Sequence, residues 1–139
     1  MEIKFWKDKN KKQIDPDLFS NKAEMLAKVI FNESTSKLNK PTQIRKFYDE
    51  VLRFGSMIKT NPEEFEIILP YIKMINAKVA YAMGRDLISK GFKDFISESL
   101  TQIKDKEDFD VFASLFESFM GFYKFYDEKG ERVSQGGRR

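Results

Sequence analysis

Two short series of side chains have the types and spacing to meet a polyanion. Arg45, Lys46 and Arg53 share a stretch with Asp49 and Glu50, opposite the apolar Ile44, Phe47, Tyr48, Val51, Leu52 and Ile58. Further on, Tyr71, Met74, Lys78, Tyr81 and Arg85 recur at steps of 3, 4, 3 and 4. On a helix those steps put rings and cations in one stripe. Cations can track a phosphate backbone while rings stack on bases, as in single-stranded nucleic-acid grooves. Each series also has a plainer explanation. Arg45–Asp49 and Lys46–Glu50 are i,i+4 pairs suited to a solvated face. The Tyr71–Arg85 stripe equally describes a buried seam whose cations reach out to its edge. Residue types alone leave both open.

Other chemistry is harder to build. The 139 residues contain no His and no Cys. Thiol nucleophiles, disulfides, the usual zinc ligand sets and the commonest general base are therefore absent. Glu63, Glu64 and Glu66 open a helix, as do Asp105, Glu107, Asp108 and Asp110, where acids favour the positive helix end. They read as terminal charges, not as a catalytic pair. Met83-Gly84-Arg85 is a lone glycine within a helix and no phosphate loop. No catalytic residue, metal site, cofactor or small-molecule substrate is expected.

The elements that must carry these side chains are helical. Gly and Pro number only 7 and 4, against 14 Phe, and 41% of the chain is hydrophobic. That composition fits a folded, all-α protein with one core. A single domain is expected over residues 1–139, as a compact bundle of about five helices. The first runs from about 17 to 32, with Leu18, Met25, Leu26, Val29 and Ile30 as its apolar stripe. The second covers about 42–59, with Pro41 in its first turn and Asn39 or Thr42 as cap. The third is long, about 63–89, interrupted at Pro70 and ended by Gly91, with Asn61 as cap. It is apolar nearly all round from Ile67 to Ile88, so it should be covered on most sides, inside the domain or by another subunit. A fourth helix spans about 92–104. The fifth, about 109–126 and capped by Asp108, carries Phe109, Phe112, Phe116, Phe119, Tyr123 and Tyr126 as a core seam, with Phe122 and Phe125 off it. Residues 1–16 read as a frayed arm, with a short strand or a docking arm as alternatives. Residues 127–139 read as a flexible tail.

Charge is uneven. Residues 1–60 hold 13 basic and 8 acidic side chains, residues 61–139 hold 12 and 14. A basic first half with pI near 9.0 suggests a polyanionic partner. No apolar run is long enough for a membrane span, and Met1–Lys9 lacks a signal peptide's apolar core. A cytoplasmic protein without membrane contact is expected.

Three blocks resemble a known family. Thr42-Gln-Ile-Arg-Lys-Phe-Tyr-Asp-Glu-Val51, Lys78-Val-Ala-Tyr-Ala-Met-Gly-Arg85 and Phe112-Ala-Ser-Leu-Phe-Glu-Ser-Phe-Met-Gly-Phe-Tyr-Lys124 are similar, in order and spacing, to the small subunit of the Csm (type III-A) CRISPR effector complex. The resemblance spans about 38–126. It implies a small helical protein without catalysis of its own, in antiviral defence. Copies stack along the complex beside the crRNA–target RNA duplex, and other subunits carry the cleavage reactions. It implies RNA contacts at Arg45 and Lys46 in the first block and at Lys78 and Arg85 in the second. Arg53 joins them because it lies on the same helix face as Arg45. The expected partners are crRNA and target RNA, other Csm-type subunits, and the chain itself.

Two other classes stand beside this reading. One is a helical protein–protein adaptor or homo-oligomer with no nucleic-acid contact. The other is a metal-dependent nuclease built on carboxylates alone.

Overall fold

The computed structural model describes the backbone of residues 2–138 and the side chains of residues 2–129. Two short strands, β1 (Trp6–Asp8) and β2 (Gln13–Ile14), precede six helices. These are α1 (Ala23–Asn32), α2 (Pro41–Thr60), α3 (Phe65–Lys73), α4 (Ile75–Gly84), α5 (Lys90–Thr101) and α6 (Lys106–Arg138). A wide π turn, Leu18–Lys22, leads into α1, and a 3-10 turn, Pro62–Glu64, leads into α3. Since α3 and α4 are two halves of the expected third helix, the five expected helices are all present in an all-α bundle.

The core is aromatic. Phe109, Phe112, Phe116, Phe119 and Tyr123 of α6 are buried, as the seam in the sequence requires. They interlock with Phe92 and Phe95 of α5, mostly as tilted or edge-on rings, as at Phe95–Phe116, 5.5 Å apart at 73°. Such pairs contribute about 0.5–1.5 kcal/mol each beyond area burial. From α2, Ile44, Phe47, Val51, Phe54 and Ile58 close the other side. Tyr48 is half-buried against Phe116, whereas Leu52 is exposed.

The frayed arm is corrected. Trp6 pairs antiparallel with Ile14 across the 3-10 turn Lys9–Lys11, with Lys12 in the left-handed region. Ile3 and Phe5 are buried in the core. Periodicity could not show this, because the latch is made of single contacts to distant residues. Trp6 Nε1 donates to Asp108 Oδ1 at 2.8 Å, and Gln102 accepts from the Phe5 amide and donates to the Ile3 carbonyl. Asp108 therefore does not cap α6. Asp105 does, accepting from the Asp108 amide at 2.9 Å. The helix continues past Tyr126, and from residue 130 the expected flexible tail lies outside the described side chains.

The third helix is divided one turn beyond Pro70, at Met74, where the Ala77 amide reaches the Met74 carbonyl in a tightened i,i+3 bond. It ends at Gly84, not near 89, and Gly91 lies inside α5. Asp86, not a glycine, takes the left-handed position after the helix, with φ 59°. The Leu87 amide bonds Ala82 and the Asp86 amide bonds Met83, the paired closure of a Schellman end. Ser89 caps α5 at the Phe92 amide. Neither Asn39, Thr42 nor Asn61 makes the expected side-chain cap, since α2 begins on extended Lys40 and Pro41.

Asn39 has another task. Its backbone is left-handed (φ 60°), a conformation that Asn tolerates better than most residues. Its side chain donates to Ile30 O and Ser89 Oγ and accepts from the Ser89 amide at 2.8 Å. Its carbonyl receives the Tyr123 hydroxyl at 2.5 Å. One buried residue thus ties α1, the α4–α5 turn and α6. Burial pushes the Tyr123 phenol well above its ordinary pKa.

Candidate nucleic-acid interface

The amphipathic pattern of α2 turns Ile44, Phe47, Val51, Phe54 and Ile58 inward and leaves its charged face, with Leu52 and Met57, outside. Arg45 and Lys46 are exposed on that face. Arg45 Nε lies 3.7 Å from Asp49 Oδ1, a loose i,i+4 pair. Lys46 makes no ion pair among the described residues, and the expected Lys46–Glu50 bond does not form.

Glu50 turns elsewhere. Its Oε1 lies 2.6 Å from an Arg53 terminal nitrogen and its Oε2 lies 2.5 Å from Lys78 Nζ on α4. The carboxylate is largely covered, at 18% exposure, while both cations remain about half exposed. The Lys78 hydrogen bond, aided by Arg53, holds the Glu50 carboxyl below its ordinary range despite burial. Arg53 also lies 4.5 Å from the Phe54 ring centroid. The two basic series, separate in the sequence, meet on one surface through this carboxylate.

The Tyr71–Arg85 stripe is not a buried seam. Tyr71, Met74 and Tyr81 are 58%, 47% and 69% exposed, and Ile67 is 68% exposed. The expectation that this helix is covered on most sides is therefore corrected for the single chain. Phe65, Ile68, Ile72, Ile75, Val79 and Ala82 of α3 and α4 are buried in the core, with Leu69 and Met83 half-buried against it. The helical steps are as expected, but the stripe points to water because α5 and α6 already fill the interior with rings. Lys73, between the two, donates to the Leu100 carbonyl at the end of α5.

Arg85 ends the stripe. Its guanidinium carbon lies 5.7 Å from the Tyr81 ring centroid, and no carboxylate pairs with it among the described residues. All five candidate cations are thus at the surface, with Arg45, Arg53 and Lys78 in partial neutralisation and Lys46 and Arg85 making no ion pair among the described residues. The sequence reading missed Glu50 as the joint between the series. Its partner Lys78 is 28 residues away, and no local spacing signals such a pair.

No group of three or more His, Cys, Asp or Glu able to hold an ion occurs among the described residues. No described helix is long and apolar enough to cross a membrane.

A family model described as Csm2 Type III-A matches residues 13–129, which include every candidate cation. No curated protein and no solved structure matches the chain.

Proposed function

The chain belongs to the Csm2 Type III-A family, the small subunit of a type III-A CRISPR complex, and on that premise we propose that it is a non-catalytic, cytoplasmic structural subunit. It contacts crRNA and target RNA through Arg45, Lys46 and Arg53 on α2 and Lys78 and Arg85 on α4. The observation that carries this reading is the Glu50 joint, which brings Arg53 of α2 and Lys78 of α4 together with both cations still about half exposed. Exposed cations on a rigid face suit phosphates, whose recognition is largely blind to sequence.

Self-association and docking on other effector subunits belong to the same proposal. The exposed Ile67, Tyr71 and Met74 support it, because an apolar stripe left in water is a usual mark of a protein interface. Co-purification with the other effector subunits, followed by sequencing of bound RNA, tests the reading. Recovery of the subunits with guide RNA crosslinked to α2 or α4 is expected. An assembled complex with no RNA crosslink to this chain favours the adaptor reading instead.

A further inference from the structure

Tyr81 is the most exposed large side chain with an apolar body among the described residues, at 69%. Its surroundings are lopsided. On a helix, the nearest neighbours of a residue lie three and four positions away on either side. For Tyr81 these are Ala77, Lys78, Gly84 and Arg85. At about 100° per residue, Lys78 and Arg85 fall to one side of Tyr81, and Ala77 and Gly84 fall to the other. All four are exposed. A side chain added at Gly84 would meet nothing within 4 Å, so the space there is open. The Arg85 guanidinium lies over the ring, 5.7 Å from its centroid, Lys78 on the same side reaches Glu50, and the flank toward Gly84 is clear.

The position along the helix matters as well. Tyr81 and Arg85 stand at the C-terminal end of α4, where the carbonyls carry partial negative charge. That end disfavours a phosphate and accepts a neutral, flat group beside a cation. Lys78, one turn back, is the better placed of the two for a backbone phosphate.

We propose that the Tyr81 ring, edged by Arg85, is a stacking platform for one unpaired base of single-stranded RNA. It lies beside the phosphate contacts of Lys78 and α2. This rests on the RNA-facing reading above and adds to it a preference for unpaired over paired strands. A base inside a duplex has both faces covered and cannot use the platform. Stacking is tolerant of sequence, because every base has a π face.

The test uses the full chain with an oligouridylate and with an RNA duplex of the same length, each titrated at several salt concentrations. Tyr81→Ala should weaken single-strand binding roughly 5- to 100-fold, with the salt slope unchanged because no cation is lost. Duplex binding should change far less. Tyr81→Phe should keep wild-type affinity. A single strand carrying 2-aminopurine should be quenched by the wild type and by Tyr81→Phe, and not by Tyr81→Ala. If Tyr81→Ala binds the single strand like the wild type, or loses both substrates equally, the platform is overturned. The phosphate reading is judged by a separate arm, the Arg45, Lys46 and Arg53 triple alanine variant. Loss there with no effect at Tyr81 removes the platform alone, and no loss in either removes both.

Discussion

The Nζ of Lys78 lies 2.5 Å from the Oε2 of Glu50, so that one carboxylate holds α4 to α2 and also holds Arg53. On the proposed reading, phosphates compete with Glu50 for two of the five candidate cations. Glu50→Gln removes that competitor. RNA affinity should rise, and the slope of log affinity against log salt should steepen by up to about 0.7 for each cation released to a single strand. The same change should cost about 0.5 kcal/mol of stability at neutral pH, a small figure because both cations are half exposed. The sign with pH follows from the lowered Glu50 pKa. The contribution is complete above the ordinary value of 4.5 and is lost as pH falls through the lower folded-state value. Urea melts of both proteins should therefore differ by a constant amount near neutrality and converge in acid. Weaker RNA binding by Glu50→Gln would show that Glu50 positions its cations instead of restraining them.

Replacing Arg45, Lys46 and Arg53 together by Ala should weaken binding alike for all RNA sequences and flatten the salt slope by roughly two units. Circular dichroism should remain that of the wild type, because these side chains sit outside the core. Unchanged affinity and slope would make the α2 face a solvated surface only.

The strand pair at the start of the chain should be part of the cooperative fold. Phe5 is fully buried, and Phe5→Ala should cost about 3–5 kcal/mol. Asp108 is 1% exposed and takes bonds from Trp6, Lys9 and the Lys104 and Asp105 amides. Asp108→Asn should cost about 1–3 kcal/mol, since an amide cannot accept all of them. Chemical denaturation monitored through Trp6 and through far-ultraviolet dichroism should give coincident transitions for the wild type. An early, separate Trp6 transition would mean that the strands are only loosely attached.

Gly91 lies in the first turn of α5 under the Glu33 carboxylate, and an added Cβ would collide with Glu33 Oε1. That oxygen is held by Ser89 Oγ. Gly91→Ala should gain about 1 kcal/mol of helix propensity and lose a comparable amount by displacing Glu33. In a Glu33→Ala background the clash disappears, and the same substitution should stabilise by about 1 kcal/mol. A double-mutant cycle of thermal melts reads the difference. No coupling between the two sites would show that Glu33 moves aside freely.

Incubation of the purified chain with Mg²⁺ or Mn²⁺ and labelled RNA or DNA should give no cleavage. Cleavage abolished by one carboxylate substitution would restore the nuclease reading.

Much of this was legible in the residues. The α2 face and the α6 seam follow from spacing, and both lie where the apolar pattern put them except at Leu52, which is exposed. Pro41 and Pro62 marked helix starts because proline's fixed φ suits a first turn. What escaped had no local signature. Asp86 and Asn39 occupy left-handed positions that glycine would have announced. The strand pair depends on Trp6, Gln102 and Asp108, which lie far apart in the chain. At the candidate interface the cations could be placed on faces, but not the Glu50 joint. Nor could the outward aspect of Tyr71 and Tyr81 be read, because a 3–4 stripe has the same spacing whether it meets water or a core.

The latch between Trp6 and Asp108 joins residues 102 positions apart, as does the bond from Tyr126 to Glu24. During synthesis at about 5–20 residues per second, the first strand must wait at least five seconds for its acceptor to be made. Until then Ile3, Phe5 and Trp6 lack the pocket that covers them in the folded chain. The bundle can close only when the buried face of α6 has left the ribosome, so completion of the fold waits for its last helix. Premature termination within α6 should therefore release a chain whose first segment is accessible to chaperones and proteases, and not a smaller stable domain.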